Sequence, residues 1–307
     1  MARLDVTETF HGIMFPGHLH TQDSLSYATD FKFQDTDTLI VTYPKSGTTW
    51  MQEIVTLMRC KGHPETSKAK PNWARAPWIE QHYCPDVLSA SQGPRLLTTH
   101  LPYQLLANAL HGSKAKVLYL ARNPKDVLVS YYHFHKMAKF LSASESFPGF
   151  LSAFLNGKLH YGSWFDHVKD WTSNSKNIQN FLYVTYEEMW MDLPRSVQKV
   201  SQFLVCPLLE EELTNIQKVC SFNSMKENSM VNYTLISQDI MDHSKSRFMR
   251  KGEIGDWVNT FSMEQNRKFD DVYASKMADS SLTFVWYKPG QETFSKSGME
   301  IDIKPLT

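Results

Sequence analysis

The chain has 307 residues, of which 42% are hydrophobic, and this is enough for one large α/β domain or two small ones. Lys and Arg together number 32, as do Asp and Glu, so the charge balance argues against a nucleic-acid partner or an acidic membrane surface. The start of the chain lacks an apolar signal region, and no apolar run is long enough to span a membrane. We therefore predict a cytoplasmic protein without a membrane partner.

The hydrophobic pattern predicts strands and helices that alternate along the chain. Predicted strands cover residues 39–43, 95–99, 117–121 and 181–185. Predicted helices cover 48–59, 124 to about 140, 194–203 and 210–219, and Asn123-Pro124 is a favoured cap and first residue for the second of them. Residues 61–91 are broken up by prolines and are expected to be irregular. This alternation predicts an α/β fold, a single domain over residues 1–307 with a central parallel sheet flanked by helices.

The segment Thr42–Trp50, with the sequence TYPKSGTTW, joins the first predicted strand to the first predicted helix. N–H groups in the first turn of a helix are unpaired, and the helix dipole favours negative charge there. Lys45 adds a positive charge, and hydroxyl side chains add donors (Ser46, Thr48 and Thr49). The segment therefore favours phosphate or sulfate binding over an ordinary turn rich in small residues. It is no ordinary nucleotide P-loop, because Lys45 precedes Gly47.

Further polar residues lie at the ends of predicted strands. Ligands of parallel sheets bind beyond the carboxyl ends of the strands, and four candidates fall there (Lys45, His100, Arg122 and Tyr186). A loop with two cations, Phe248–Gly252, follows later in the chain. Its Arg250 and Lys251 are either a solvated surface pair or, with Arg122 and Ser130, a second anion site. Two anion sites with Trp50 as a stacking face suit a nucleotide that is phosphorylated at two places.

His100 is the candidate general base, although lone histidines are more often structural. A histidine near its reference pKa accepts an alcohol proton at neutral pH. The cysteines show neither close pairing nor metal-ligand spacing, so we expect reduced thiols and no metal (Cys60, Cys84, Cys206 and Cys220). Without a nucleophile elbow or a Cys–His pair, direct in-line transfer to a bound acceptor fits these residues best.

At this point the motifs resemble those of the cytosolic sulfotransferases over nearly the whole chain. The segments that carry the resemblance, in the family's order, are Thr42–Trp50, Thr99–Pro102, Tyr119–Ser130, Tyr161–His167, Tyr186–Glu188 and Arg250–Trp257. The resemblance implies transfer of a sulfuryl group from 3′-phosphoadenosine 5′-phosphosulfate (PAPS) to a small hydroxyl or amine acceptor. The product nucleotide is adenosine 3′,5′-bisphosphate, and no metal is implied.

The resemblance also implies roles for residues of this chain. By the resemblance, the first loop binds the phosphosulfate and Trp50 stacks on the adenine (Lys45, Ser46, Gly47, Thr48, Thr49 and Trp50). By the same resemblance, the 3′-phosphate is bound by Arg122, Ser130 and the second loop (Phe248, Met249, Arg250, Lys251 and Gly252). Tyr186 and one further segment line the adenosine (Cys220, Ser221, Phe222 and Met225). Three residues are implied to be catalytic: His100 as base, Lys45 on the bridging oxygen, and Ser130, which restrains Lys45 through a hydrogen bond.

An apolar acceptor pocket is implied beside His100. Aromatic residues at such positions are often plain core, but the resemblance favours a pocket for a flat or polycyclic alcohol (Trp73, Trp78, Phe134, Phe140, Tyr233 and Ile236). Residues 237–247 are polar, and we expect them to form a mobile lid. The implied partner is thus a small lipophilic molecule with a hydroxyl group.

The sequence departs from the family in two places. Thr98 stands where many phenol-type members carry a lysine, two residues before the histidine, and this resembles the hydroxysteroid and alcohol branch. Three other segments resemble the same branch (Gly12–Pro16, Pro71–Trp78 and Ser224–Asn228). The family's dimer segment has lost or reversed its charged ends here (Val258, Ser262, Met263 and Arg267). We therefore expect a monomer or a weak homodimer.

Three readings compete with sulfation of a lipophilic alcohol. Phenol or amine sulfation belongs to the same family. A P-loop kinase or hydrolase of ATP is disfavoured by the order of Lys45 and Gly47 and by the lack of a clear carboxylate for Mg²⁺. A non-catalytic binder of adenosine phosphates is disfavoured by the joint presence of Lys45, His100 and Ser130.

Overall fold

The computed structural model describes residues 3–91, 93–141 and 146–291. The strands in these ranges are β1 (Thr7–Phe10), β2 (Ile13–Pro16), β3 (Thr38–Thr42), β4 (Leu96–Thr99), β5 (Lys116–Ala121) and β6 (Asn180–Thr185). The α-helices are α1 (Gln22–Thr29), α2 (Thr48–Arg59), α3 (Glu65–Ala69), α4 (Asn72–Arg75), α5 (Cys84–Ser89), α6 (Tyr103–Leu110), α7 (Pro124–Met137), α8 (Phe147–Leu155), α9 (Trp164–Ser173), α10 (Tyr186–Met191), α11 (Leu193–Leu204), α12 (Glu210–Val219), α13 (Phe222–Glu227) and α14 (Met263–Lys276). Short 3-10 helices cover Ser175–Asn177 and Asp256–Asn259. In none of the described segments does a helix have both the length and the apolar composition needed to cross a membrane.

Four strands form a parallel sheet in the order β4-β3-β5-β6, and β1 and β2 form a separate antiparallel pair. β3 lies inside the sheet, where Leu39 is opposite Leu97 on one side and Val117 on the other. The parallel register brings the carboxyl ends of all four strands to one edge. The predicted parallel sheet flanked by helices is therefore confirmed.

Alternate residues of the central strands enter two separate apolar cores. Val41 and Tyr119 belong to one core, and Ile40, Leu118 and Leu120 belong to the other. Every residue of β3 is buried, as expected for a parallel strand that is covered on both faces. The two cores hold helices against both sides of the sheet and so fix the positions of the strand ends.

The predicted strands and helices are all present, with bounds that differ by a few residues. Asn123 caps α7 as predicted, because its side chain accepts a hydrogen bond from the Lys125 N–H at 2.9 Å. α7 ends at Met137 rather than near residue 140, because Ala138 leaves the helix and pairs with Met241 in an isolated bridge. The expectation of an irregular segment over residues 61–91 is wrong in part, since it contains α3, α4 and α5.

Val205 holds a backbone conformation that disfavours its side chain. It follows the last residue of α11 with φ of 55° and ψ of 45°, in the left-handed region. Its N–H closes the helix by donating to the carbonyls of Gln202 and Ser201. Glycine is the usual residue at such a helix end, because a β-branched side chain there is strained. The Val205 side chain offsets little of this strain, since 78% of the residue is exposed.

Replacing Val205 by glycine should stabilise the protein. A left-handed backbone conformation costs an L-residue about 1–2 kcal/mol, and glycine removes this cost. Glycine also loses more conformational entropy on folding, which offsets part of the benefit. We therefore expect the free energy of unfolding to rise by about 0.5–1 kcal/mol. Urea unfolding of Val205→Gly against the unchanged chain measures it. Val205→Ala, which keeps a Cβ atom, is the control and should gain less. A lower midpoint for Val205→Gly than for Val205→Ala would contradict the explanation.

Candidate active site

One cavity of about 640 Å³ opens at the carboxyl edge of the sheet. Each sheet strand is followed there by a predicted site residue: Lys45 after β3, His100 after β4, Arg122 after β5 and Tyr186 after β6. All four line the cavity. The structure therefore brings the four predicted side chains to one cavity at the edge of the sheet.

The loop before α2 is shaped to expose backbone N–H groups. Gly47 precedes the helix with φ of 103°, and α2 has no side-chain cap. A Cβ atom at Gly47 would lie 2.7 Å from the Tyr186 ring, so both the conformation and the close approach require glycine. The free first turn, together with Thr48 and Thr49 on the cavity wall, forms an anion cradle.

Arg122 ties the two predicted anion-binding loops together. Its Nη1 donates to the Lys45 carbonyl at 3.2 Å, and its Nη2 donates to the Glu253 carbonyl at 2.9 Å. The guanidinium carbon lies 4.0 Å from the centroid of the Tyr186 ring. Nε of Arg122 is buried and has no hydrogen-bond partner among the described residues. A buried donor without a partner is costly, so an anion beside it would be favoured.

The second loop carries its own counterion. Asp256 accepts hydrogen bonds from Arg250 at 2.6 Å and from Lys251 at 2.5 Å. Burial opposes ionisation of Asp256, but these hydrogen bonds prevail and lower its pKa. The cations are therefore held in place beside the cavity that they line. The sequence analysis did not assign a role to this carboxylate, although Asp256 lies within the Arg250–Trp257 motif.

Gly252 lets an aromatic ring approach the second loop. Its φ is 68°, and an added Cβ atom would lie 2.1 Å from the ring of Phe222. Trp50 reaches the same part of the cavity from α2, where its indole N–H donates to the Cys220 carbonyl at 2.9 Å. Trp50 also contacts Tyr186 edge to face, with ring centroids 5.2 Å apart. These rings form an aromatic niche between the two anion-binding loops.

Lys45 projects between two aromatic rings at the centre of the cavity. Its Nζ lies 4.2 Å from the centroid of Phe134 and 4.1 Å from that of Phe248. Burial, followed by the nearby charges of Arg122 and Arg250, lowers the pKa of Lys45 to about 7. A negatively charged ligand would favour the protonated form, because it supplies the opposite charge.

His100 is held in a single tautomer by the strand that precedes the first loop. Its Nδ1 lies 2.8 Å from the Thr42 carbonyl oxygen and 3.1 Å from the Thr42 hydroxyl. Since a carbonyl only accepts hydrogen bonds, Nδ1 carries the hydrogen and Nε2 keeps its lone pair. Burial, against the hydrogen bond to Thr42, lowers the pKa of His100 to about 4, with a contribution from Lys45. The imidazole is therefore neutral at pH 7 and able to accept a proton.

Glu80 fixes the main chain of His100, and the sequence analysis missed it. Its Oε1 accepts a hydrogen bond from the His100 N–H at 2.7 Å. The carboxyl is fully buried, and burial raises its pKa to about 7. Glu80 comes from the segment after α4, for which the sequence predicted no structure.

The other half of the cavity is lined mainly by aromatic and aliphatic side chains. All the predicted acceptor residues line it: Trp73, Trp78, His100, Phe134, Phe140, Tyr233 and Ile236. Residues that the sequence analysis missed complete this wall: His18, Leu19, His82, Tyr83, Val87, Tyr161 and Met241. They come from distant segments without a shared motif, and only the fold brings them together. An apolar chamber beside a neutral histidine suits a lipophilic alcohol.

Ser130 lines both the main cavity and a small pocket of about 10 Å³ beside it. The hydrogen bond expected between Ser130 and Lys45 is not formed, because the ammonium group of Lys45 lies between rings instead. His133, one turn after Ser130 on α7, lines the small pocket together with Arg250 and was missed. Burial and Arg250 lower the pKa of His133 to about 4.

A few predicted positions do not line the cavity. Ser46 is fully buried, and its Oγ has no hydrogen-bond partner among the described residues. Ser221 uses its hydroxyl to cap α13 by accepting from the Ser224 N–H. Thr98, two residues before His100, is also away from the cavity; it is fully buried, accepts a hydrogen bond from Gln52 and donates one to the Ala76 carbonyl. The remaining donor-site residues do line it: Lys45, Gly47, Thr48, Thr49, Trp50, Arg122, Ser130, Tyr186, Cys220, Phe222, Met225, Phe248, Met249, Arg250, Lys251 and Gly252.

The segment 237–247 lies beside the aromatic half of the cavity. Ile240 and Met241 line the cavity wall. The Ile240 carbonyl accepts from the Lys139 N–H at 2.9 Å, and the Asp242 N–H donates to the Met137 carbonyl at 2.7 Å. These bonds attach the segment to the end of α7. Its motion as a lid stays a prediction.

Metal and thiol chemistry have no assembled site in the described ranges. Over residues 3–91, 93–141 and 146–291, no three His, Cys, Asp or Glu side chains are grouped so as to hold a metal ion. The four cysteines are free thiols, and Cys84 and Cys220 are buried.

Comparisons of the chain with known proteins all point to one protein family. Residues 35–281 match the family model described as the sulfotransferase domain. Sulfotransferase 2B1 of Rattus norvegicus is 44% identical over 284 residues, which cover 92% of this chain and 83% of the relative. A protein named 3-beta-hydroxysteroid sulfotransferase, from Cavia porcellus, is 42% identical over 275 residues, which cover 89% of this chain and 95% of the relative.

A solved structure shares the fold. The mouse sulfotransferase SULT7A1, crystallised in complex with PAP, is 30% identical, with a TM-score of 0.74. The alignment covers 90% of this chain and 96% of that one. The family match and these likenesses show that the chain belongs to the sulfotransferase-domain family and is a sulfotransferase enzyme.

Proposed function

We propose that this enzyme transfers a sulfuryl group from PAPS to the hydroxyl of a small lipophilic acceptor such as a hydroxysteroid. The observation that carries the proposal is the junction between the two halves of the cavity. His100 and Lys45 both line the wall there, with cations on one side and aromatic rings on the other. A base and a cation at one junction suit transfer between an anionic donor and an apolar acceptor.

The donor half fits a nucleotide with anionic groups at two places. The open first turn of α2 and Lys45 would hold the 5′-phosphosulfate, and Arg122, Arg250 and Lys251 would hold the 3′-phosphate. The unpartnered Nε of Arg122 supports this assignment, because an anion would satisfy it. The rings between the two loops would take the adenine. The PAP found in the mouse structure supports the same class of donor.

The chemistry needs one proton transfer and one exchange of bonds at sulfur. Nε2 of His100 accepts the hydroxyl proton while the acceptor oxygen forms its bond to sulfur. The bond from sulfur to the bridging phosphate oxygen breaks, and the ammonium group of Lys45 stabilises the charge that grows on that oxygen. The low pKa of His100 keeps it in the base form, and the anionic donor would raise that pKa as the reaction starts. Positioning of the two ligands supplies much of the remaining acceleration.

The acceptor half favours a flat alcohol. Trp73 and Tyr233 are packed at a tilt with ring centroids 5.4 Å apart, and Trp78 lies 5.9 Å from the His100 ring. Such walls provide apolar contact but few charged groups. The 3-beta-hydroxysteroid in the name of the Cavia porcellus relative is an alcohol of this kind and supports the proposal. Phenol or amine sulfation by the same site is the alternative, and the first experiment below separates them.

Organisation and assembly stay predictions. We take residues 1–307 as one domain, since the family match spans residues 35–281 in a single block. We expect a monomer or a weak homodimer in the cytoplasm, without a nucleic-acid partner. In the segment that the family uses for dimers, Ser262 caps α14 and Met263 is exposed.

Sulfate transfer from labelled PAPS tests the proposed function. With EDTA present, a panel holds a 3-hydroxysteroid, a simple phenol and an arylamine, and we expect most product on the steroid. Product mainly on the phenol or amine would keep the enzyme class and overturn the acceptor class. Product on none of them, with adenosine 3′,5′-bisphosphate still bound, would favour a non-catalytic binder.

In the same assay, His100→Ala should lower turnover by ~10²–10⁴-fold, the usual contribution of a general base. Its affinity for adenosine 3′,5′-bisphosphate should stay nearly unchanged. His63→Ala removes an exposed histidine outside the cavity and is the matched control. A large loss of nucleotide affinity in His100→Ala would contradict its role as base.

Binding of adenosine 3′,5′-bisphosphate should take up a proton at pH 8. With its pKa near 7, Lys45 is mostly neutral at that pH, and the incoming anion favours the charged form. At pH 6 Lys45 is already charged before the nucleotide binds, so proton uptake by Lys45 should vanish. Binding heats in two buffers of different ionisation enthalpy measure the uptake. Lys45→Met should abolish it at pH 8, whereas Lys251→Met should keep it. Equal uptake by Lys45→Met and the unchanged chain would show that another group is responsible.

Arg122→Ala should weaken the binding of adenosine 3′,5′-bisphosphate more than the binding of AMP. We expect the ratio of the two affinities to fall at least tenfold, which corresponds to about 1.4 kcal/mol. AMP serves as the internal control, because Arg122 also holds the Lys45 and Glu253 carbonyls and its loss disturbs both loops. Titration calorimetry gives both constants. Equal losses for the two nucleotides would remove Arg122 from the 3′-phosphate site.

A further inference from the structure

Three buried side chains and the half-buried Tyr233 form a continuous hydrogen-bonded chain beside the cavity, called here the buried relay: Thr98, Gln52, Asn72 and Tyr233. Gln52 Nε2 donates to the Thr98 hydroxyl at 2.9 Å. Asn72 Nδ2 donates to Gln52 Oε1 at 2.8 Å and to the Tyr233 phenol oxygen at 3.0 Å. Thr98, Gln52 and Asn72 are fully buried, and Tyr233 lines the cavity.

The carbonyl of Ala76 sets the direction of the buried relay. It accepts from the Thr98 hydroxyl at 2.9 Å and from Gln52 Nε2 at 3.2 Å. Since a carbonyl only accepts, the amide nitrogen of Gln52 must face it, and Oε1 of Gln52 must face Asn72. Asn72 must then present its Nδ2, which reaches Tyr233 as well. Asn72 therefore donates in both directions, to Gln52 on the side of the sheet and to Tyr233 on the side of the cavity, and both carboxamide orientations are defined.

The relay connects the three parts of the structure that build the site. Thr98 lies on β4 two residues before His100, and Gln52 lies on α2, one turn from the donor loop. Asn72 also donates its main-chain N–H to the Met230 carbonyl at 2.9 Å, which anchors the segment that leads to Tyr233. Distortion at one end therefore reaches the other through hydrogen bonds rather than through loose packing.

Tyr233 is held in a demanding conformation at the end of this relay. Its φ is 63°, a left-handed value that is unusual for a tyrosine. Its ring centroid lies 4.1 Å from that of Phe248, which in turn contacts Lys45. Burial raises the pKa of Tyr233 to about 12, against hydrogen bonds from Asn72 and Thr49. Tyr233 thus stays protonated between the acceptor wall and the donor loop.

We propose that the buried relay positions Tyr233 in the acceptor wall, so that Thr98 sets acceptor affinity without touching the cavity. The proposal rests on the proposed function, because it assigns a positioning role within the same site. Thr98 acts through Gln52 and Asn72, and none of these three lines the cavity.

Thr98→Val tests the proposal, because it removes the hydroxyl and keeps the shape. With the preferred alcohol of the panel, we expect the acceptor KM to rise about 3- to 10-fold, the effect of one net hydrogen bond. The kcat and the Kd of adenosine 3′,5′-bisphosphate should change less than about twofold. Thr98→Ser restores the hydroxyl and should restore KM.

Thr56→Val is the matched control. Thr56 lies one turn after Gln52 on α2, is buried, and donates its hydroxyl to the Gln52 main-chain carbonyl at 2.8 Å, outside the relay. It should leave the acceptor KM unchanged. Equal KM values for Thr98→Val and Thr56→Val would overturn the proposal.

A double-mutant cycle keeps the proposal testable if Thr98→Val lowers stability. Tyr233→Phe removes only the phenol oxygen, and Thr98→Val should add no further rise in KM in that background, since the relay acts through this oxygen. Fully additive effects would overturn the proposal.

If the unchanged protein gives no product with any acceptor, the proposed function fails first. Quenching of tryptophan fluorescence by a 3-hydroxysteroid, with the bisphosphate present, then gives acceptor Kd values for the same variants. Absence of both turnover and binding would overturn both proposals.

Discussion

The hydrogen bond between His100 Nδ1 and the Thr42 carbonyl is the interaction on which the site depends. Thr42 is the last residue of β3, so the strand that delivers the donor loop also fixes the tautomer of the base. A parallel sheet makes this possible, because adjacent strands end at the same edge. Base and donor loop are thereby held at a fixed separation by main-chain geometry, before any ligand contact is made.

Charge in the cavity is arranged to change when ligands bind. Lys45 is crowded by Arg122 and Arg250, and His100 is kept neutral by burial. Both groups sit below their ordinary pKa mainly because they are buried. An anionic donor reverses this condition for both groups at once. In the proposed reaction, Lys45 would then become fully charged and His100 a stronger base when the donor binds.

Sequence predicted the framework of the site well, because local signals and main-chain geometry dictate it. Apolar runs marked β3 and β5, and the Asn123-Pro124 cap marked α7. Glu80 was beyond reach, since its partner is the main chain of a residue twenty positions away. The partners of Thr98 were beyond reach for the same reason: a strand pattern gives the face of a side chain, but not the Gln52 carboxamide that meets it. The polar α13 and α14 were missed although serine caps precede both, because neither carries a strong apolar stripe.

The ion pairs of Asp256 have a consequence for how the nucleotide is held. Arg250 and Lys251 already have an internal counterion, so an incoming phosphate exchanges with a carboxylate rather than displacing mobile salt ions. Affinity that comes from such an exchange depends weakly on ionic strength, unlike affinity gained from bare surface cations. A ligand would also need enough negative charge to compete with the Asp256 carboxylate for Arg250 and Lys251. If it binds the 3′-phosphate as proposed, the second loop would therefore select ligands by their charge density, because its cations are already paired with Asp256.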